Sequence, residues 1–261
     1  MTRAAYVILL EWKHLAFKPP AWGILAAYGL AAGVICGSPA LRWGYFDGMF
    51  PCLFILEFQV MPFFLAGNLI FTLSPVYAGD REQNTALIPD TCRLGYRGRS
   101  LCRFAASVLY SVILCVMMFS VNLLLCLITG NIPNWEEIFT CDSPLLSGTF
   151  REICIISFFS LLAGGVVTAC FCLFFSRISK SPLAAGGAMM VFSVIEFLPN
   201  RFGWRFTWFR EFNIWQLLRG CMVFSMELFH FTPIGNFLCL VLAFVPLTAG
   251  MLAVIVLYHP E

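Results

Sequence analysis

Six runs of apolar residues, separated by shorter polar stretches, divide the chain. A helix needs ~20 mainly apolar residues to cross a hydrocarbon core of ~30 Å, because it rises ~1.5 Å per residue. Backbone groups in lipid must satisfy their own hydrogen bonds, and the runs lack the alternation of barrel strands, so helices are predicted. The predicted spans are residues 21–38, 49–73, 104–129, 152–176, 183–198 and 233–258. The pattern predicts an all-α integral membrane protein with six transmembrane helices, of which the fifth is short.

The first twenty residues have an amphipathic pattern instead. On a helix, four charged or titratable residues fall on one side and the apolar residues fall on the other. The four are Arg3, Glu11, His14 and Lys18. Pro19 and Pro20 would end such a helix, and the first span follows at once. Residues 1–20 are therefore predicted to form a helix lying in the membrane interface, with Trp12 at the level of the headgroups.

The stretch before the last span, residues 199–232, mixes aromatic residues with charges. Arginines and aromatic residues interleave at its start, as is typical of a membrane–water boundary. An apolar part follows, from 214 to 231, and it is interrupted by Arg219 and Glu227. We expect short re-entrant helices here, dipping from the outer face and buried in protein, because charges inside the membrane usually face protein.

Composition agrees with this class of protein. Hydrophobic residues make up 60% of the 261 residues and charged residues only 11%, whereas soluble domains carry about 25% charged residues. The whole chain, 1–261, is predicted to be one transmembrane domain. Most of the 12 cysteines lie in apolar runs, where a free thiol packs as a small hydrophobe.

Lysines and arginines indicate the orientation. They gather before the first span, between spans two and three, and between spans four and five. Because cytoplasmic loops carry an excess of these residues, we expect a multi-pass protein of the cytoplasmic membrane with both termini in the cytoplasm. The segment after the fifth span, with Arg201, Arg205, Arg210 and Arg219, opposes this assignment.

Motifs for chemistry are missing from the sequence. The only lysines are Lys13, Lys18 and Lys180, and none stands in a phosphate-binding Gly-x-x-x-x-Gly-Lys-[Ser/Thr] loop. The three histidines form no local zinc motif, and there is no Gly-x-Ser-x-Gly elbow. We expect no catalytic residues, no metal site, no cofactor and no nucleic-acid partner for this chain.

Three polar residues lie within the second predicted span: Glu57, Gln59 and Asn68. Ionisable groups in a span are costly, face the bundle interior and often mark a transport route. Polar side chains equally serve to hold helices together by hydrogen bonds. The sequence leaves both interpretations open.

The connection 74–103 carries the most informative pattern. A tyrosine, an acid–base cluster, a threonine, apolar residues, a proline and an arginine follow one another and lead to a basic residue that opens the third span. This stretch resembles the permease subunits of type-2 ABC exporters. The residues that match in kind are Asp80, Arg81, Glu82, Thr85, Leu87, Pro89 and Arg93. Three features depart from the family pattern: Asn84, a displaced proline, and Arg103 in place of lysine.

The resemblance implies that connection 74–103 forms a coupling helix that docks on a separate ABC ATPase, which binds ATP and Mg. The residues to which it assigns partner coupling are Asp80, Arg81, Glu82, Thr85, Leu87, Ile88 and Arg93. It also implies a second permease copy, in a homodimer or heterodimer, and a transport route for an amphiphilic cargo such as a peptide, drug or lipid. The connection could instead be an ordinary positive anchor. The alternatives for the whole protein are a membrane scaffold or sensor subunit and an intramembrane lipid-modifying enzyme.

Overall fold

The computed structural model describes residues 3–38, 56, 60–83, 95–129, 135–136, 138–139, 148–202, 213–219 and 233–257. Within these ranges the chain forms nine α-helices and one antiparallel pair of two-residue strands. The helices are α1 (Arg3–Ala16), α2 (Pro19–Gly37), α3 (Met61–Leu73), α4 (Pro75–Glu82), α5 (Gly95–Ile128), α6 (Phe150–Ile178), α7 (Pro182–Phe202), α8 (Ile214–Leu218) and α9 (Pro233–Leu257). The strands are β1 (Ile138–Phe139) and β2 (Gly148–Thr149).

The described helices confirm an all-α membrane protein. Five helical segments are long and apolar enough to cross a bilayer. They are Pro19–Gly37, Met61–Glu82 (α3 with α4), Gly95–Ile128, Phe150–Ile178 and Ile234–Leu257. The fifth predicted span corresponds to the apolar part of α7, Pro182–Phe197, which is shorter than the others. The described residues therefore contain five candidate spans, and a sixth is not established.

Helix boundaries differ from the sequence prediction around the connection 74–103. Helical structure continues past Ser74 to Glu82, and α5 begins at Gly95, ahead of the predicted start at 104. Pro75 suggests a helix end in the sequence, but it stands at the first position of α4, where a proline is tolerated because its missing N–H has no helical partner. Helices thus occupy much of this connection.

The junction between α3 and α4 is held by a side chain from α6. In an unbroken helix the amide of Ala78 would donate to the carbonyl of Ser74. Here the hydroxyl of Ser176 donates to the Ser74 carbonyl at 2.7 Å. The same hydroxyl accepts from the amides of Tyr77 (3.0 Å) and Ala78 (3.2 Å). A side chain inserted in this way supplies the hydrogen bonds that the break removes.

Helix α1 forms as predicted and packs along α5. Its sides are arranged differently from the prediction, however. Glu11 faces the protein and pairs with Arg99 and Arg103, while Tyr6 and Leu10 are exposed. The carboxylate lies on the inner side because arginines of α5 neutralise it there.

Helix α6 is the centre of the described bundle and contacts α3, α4, α5, α7, α8 and α9. Small residues permit its close approach to α5: a Cβ on Gly165 would lie 2.5 Å from the sulfur of Cys115 and 3.0 Å from the hydroxyl oxygen of Ser111. Seven of the eight cysteines in the described ranges are buried, as expected of residues that pack as small hydrophobes.

Candidate functional site

One end of the bundle, called here the cationic end, collects most of the described positive charge. Its lysines and arginines come from α1, the α1–α2 corner, α4, the start of α5 and the end of α6. They are Lys13, Lys18, Arg81, Arg97, Arg99, Arg103, Arg177 and Lys180. The acidic residues at the same end are Glu11, Asp80 and Glu82. The ion pairs of Glu11 with Arg99 and Arg103, and of Asp80 with Arg103, lie at this end.

Arg103 connects three helices at the cationic end. Its Nε donates to the carboxylate of Glu11 on α1 at 3.1 Å. Its Nη1 donates to the carboxylate of Asp80 and to the carbonyl of Val76 on α4, the latter at 3.0 Å. The side chain is only 11% exposed. This largely buried guanidinium donates to two carboxylates and one carbonyl. Its planar set of N–H donors suits such contacts.

Arg81 binds α4 to the end of α6. Its guanidinium donates to the carbonyls of Ser179, at 2.9 Å, and of Arg177. These carbonyls belong to the last turn of α6 and its C-cap, where helices present acceptors and a partial negative charge. The guanidinium of Arg177 lies over the ring of Tyr96, 4.6 Å from its centre, and over that of Tyr77 at 5.2 Å. Tyr96 belongs to α5 and Tyr77 to α4, so these cation–π contacts connect the end of α6 to both helices.

Tyr77 extends the connections to the last helix. Its hydroxyl donates to the carbonyl of Ser100 on α5 at 2.9 Å. The hydroxyl of Ser100 donates in turn to the carbonyl of Ile255 on α9 at 3.1 Å. Helix α4 is thus bonded directly to α5 and α6, and it reaches α1 through Arg103 and α9 through Ser100. We call Glu11, Tyr77, Asp80, Arg81, Ser100, Arg103 and Ser176 the α4 hub.

The predicted partner-coupling residues divide into two groups: residues 80–82, which the structure describes, and four residues outside the described ranges. Asp80 and Arg81 belong to the α4 hub and bond to residues of this chain. Glu82, the last residue of α4, is exposed. Thr85, Leu87, Ile88 and Arg93 lie outside the described residues. The segment 84–94 therefore starts from α4 and returns at Gly95, whose φ of 64° favours glycine at the start of α5.

Of the three polar residues predicted for the transport route, Asn68 is described, and Glu57 and Gln59 lie outside the described residues. Asn68 is 1% exposed. Its amide donates to the carbonyl of Ala21 on α2 at 2.9 Å, and its carbonyl oxygen accepts from Tyr110 on α5 at 2.6 Å. Thr72, four residues further along α3, also donates to it at 3.3 Å. Asn68 holds three helices together by hydrogen bonds, as polar residues in membranes often do.

Lys18 stands at the corner between α1 and α2, and the sequence placed it on the water-facing side. Its ammonium instead donates to the carbonyl of Thr72 at 3.0 Å. Burial is the main cause that lowers the pKa of Lys18, from 10.5 to about 8; the charge of Arg103 lowers it further, and Glu11 acts in the opposite direction. An amphipathic pattern could not reveal this, because the carbonyl comes from a distant helix.

Helix α8, which lies within the segment 199–232 for which re-entrant helices were predicted, is buried beside the middle of α6. The hydroxyl of Ser160 donates to the carbonyl of Leu217 at 3.0 Å. The amide of Ile214 donates to Glu196 on α7 at 3.2 Å, and the indole of Trp215 donates to the carbonyl of Ser193 at 2.9 Å. The pattern along the chain did not indicate that Glu196 would hold α8.

The polar side chains described above connect helices to one another. No three histidine, cysteine or acidic residues in the described ranges are placed to hold a metal ion. The polar side chains of the α4 hub are occupied with backbone carbonyls, carboxylates and aromatic rings of the same chain. Such an arrangement can transmit a displacement of α4 to the rest of the bundle. No model of a known protein family matches this chain, and no curated protein matches it either.

Proposed function

We propose that this chain is the membrane-spanning permease subunit of an ATP-binding cassette exporter, driven by ATP that a separate subunit hydrolyses. The observation that carries the proposal is the α4 hub. Both ends of segment 84–94 leave from helices that the hub binds to the bundle, so a force applied to this segment reaches α1, α5, α6 and α9. A loop that served only as a positive anchor would not need such connections.

The proposal assigns different tasks to the two groups of coupling residues. Leu87 and Ile88 supply an apolar contact for a cleft of the ATPase, flanked by charge, since contact centres carry more binding energy than their rims. Asp80 and Arg81 transmit the movement inward through their bonds to Arg103 and to the end of α6. ATP and Mg are bound by the partner, and a second permease copy encloses the route for an amphiphilic cargo.

One observation favours the alternative of a non-transporting scaffold or sensor subunit. Asn68, the described residue of the predicted route, is occupied with hydrogen bonds to α2 and α5. A transport route through this chain would then depend on Glu57 and Gln59, or on the surface shared with a second copy. The two functions differ in whether an ATPase associates with segment 84–94.

Association with an ATPase is tested by changing the proposed contact residue. We expect Leu87→Asp to abolish co-purification of a P-loop ATPase, identified by mass spectrometry, because a charge would replace the apolar contact centre. Arg97→Ala is the matched control, since Arg97 is exposed at the start of α5, and it should retain the ATPase. Both variants should insert into the membrane normally. Retention of the ATPase by Leu87→Asp would contradict the coupling role, and absence of any ATPase from the unmodified protein would favour the scaffold.

A further inference from the structure

A groove of about 210 Å³ lies between the α1–α2 corner and α5. Aromatic and aliphatic side chains line it almost entirely. The larger of them include Trp12, Phe17, Trp22, Tyr110, Leu114 and Met117. Phe17 is 70% exposed and Trp22 is 50% exposed. Large aromatic residues with this exposure are typical of the region where a membrane helix meets the lipid headgroups.

Two lysines flank the lining residues at the α1–α2 corner, the end called here the mouth of the groove. Lys13 stands three and four residues before Ala16 and Phe17, so on α1 it neighbours these two lining residues. Lys18 follows Phe17 directly. The nearby acid, Glu11, does not cancel these charges, because it lies within 3.9 Å of Arg99 and 3.1 Å of Arg103. An apolar groove with a cationic mouth complements a molecule that has an apolar chain and an anionic head.

A second groove, of about 300 Å³, lies between α6, α8 and α9, and its lining includes Val166, Leu217, Phe244 and Thr248. No lysine or arginine belongs to the lining of either groove. The two grooves differ in the cation that neighbours them along the chain. Arg219, two residues after Leu217, is buried and lies over the ring of Phe197, whereas Lys13 beside the first groove is exposed and can meet an anion.

We infer that the groove between α1, α2 and α5 binds an anionic phospholipid. One acyl chain lies along Trp12, Leu114 and Met117, and the headgroup phosphate meets Lys13 at the mouth, with Lys18 adding to the positive field. Basic pockets between membrane helices bind anionic headgroups in this way. The inference does not depend on the proposed function, because it concerns the lipid that surrounds this chain in any case.

Native mass spectrometry can test this with the full chain in nanodiscs of equal parts phosphatidylcholine and phosphatidylglycerol. The unmodified protein should retain phosphatidylglycerol over phosphatidylcholine. Lys13→Gln should lower that ratio about fivefold, since one lysine near anionic lipid contributes ~1 kcal/mol. Lys180→Gln is the matched control, because Lys180 is also exposed at the cationic end, and it should leave the ratio unchanged.

A second pair of variants tests the groove itself. Met117→Trp should fill the groove and lower the retention of both lipids, because Met117 lines it and is 37% exposed. Met190→Trp adds the same bulk to an exposed position on α7, away from the groove, and should retain lipid normally. Equal losses in Lys13→Gln and Lys180→Gln would overturn the inference. So would normal retention in Met117→Trp, including the case in which that variant loses self-association instead, which would identify a second copy as the occupant.

Discussion

Lys18 is the residue whose environment departs most from what its type suggests. Lysines at helix ends usually extend towards the headgroups and water. This one turns inward, donates to the carbonyl of Thr72 on α3, and lies close enough to Arg103 for that charge to lower its pKa. The single bond fixes the corner between α1 and α2 against α3, so the amphipathic helix is attached to the bundle at both Glu11 and Lys18.

The amine of Lys18 should lose its proton with a midpoint near pH 8 rather than near 10.5. The unfolded chain binds this proton up to the higher pH, so between pH 8 and 10.5 the unfolded state binds more protons than the folded state. The contribution of Lys18 to the free energy of unfolding therefore rises with pH through this window.

Titration of ¹³C-methylated lysines by NMR in a neutral detergent measures the midpoint, and the signal is assigned by its loss in Lys18→Arg. Glu11→Gln should move the midpoint lower still, because Glu11 raises the pKa. A midpoint for Lys18 near its usual value would show that the amine is not buried.

Among the elements, α4 and α8 have a common property: each short helix is held by α6. Ser176 and the last carbonyls of α6 bind α4, and Ser160 binds α8. Gly164 provides the space for α8, since a Cβ there would lie 2.8 Å from the amide nitrogen of Leu218 and 2.9 Å from the carbonyl carbon of Leu217. Both contacts are with the backbone of α8, so α8 cannot yield to an added Cβ without moving as a whole.

Gly164→Ala should therefore destabilise the protein by about 1–3 kcal/mol, the usual cost of adding a methyl group to a packed site. Gly187→Ala on α7 is the matched control, because nothing lies within 4 Å of the added Cβ. The free energy of unfolding in mixed detergent micelles, measured for both variants, gives the comparison. Equal stability of the two variants would mean that α8 does not rest on Gly164.

Hydropathy predicted the apolar helices well, but it could not predict how the elements end. Arg99 and Arg103 indicated a polar connection, yet they lie within α5, because carboxylates of α1 and α4 pair with them. Asn68 could be placed inside a helix, but its partners on α2 and α5 are far away in the sequence. Patterns along one helix do not show contacts between helices.

For the whole molecule, the distribution of charge predicts the orientation in the membrane. The eight cations of the cationic end lie opposite Trp135, whose ring packs on that of Phe150 at the start of α6, 5.4 Å between centres. Because positive residues concentrate on the cytoplasmic side, we expect the cationic end in the cytoplasm and Trp135 outside.

Single cysteines on a cysteine-depleted background can test this orientation in intact cells. Glu136→Cys should react with a membrane-impermeant maleimide from outside, since Glu136 is exposed. Glu82→Cys and Lys180→Cys, both at exposed positions of the cationic end, should react only after permeabilisation. External labelling at position 82 or 180 would reverse the orientation and remove the cytoplasmic location that docking on an ATPase requires.

The bond between Ser100 and Ile255 has a consequence for biosynthesis. It joins residues 155 positions apart, and the acceptor belongs to the last turns of α9. The ribosome must therefore reach residue 255 before Ser100 can acquire this partner. Until then α5 and Tyr77, whose hydroxyl donates to Ser100, lack this hydrogen-bonded connection to α9. The connection between α5 and α9 consequently forms only after residue 255 has been synthesised, and nascent chains shortened before that residue lack it.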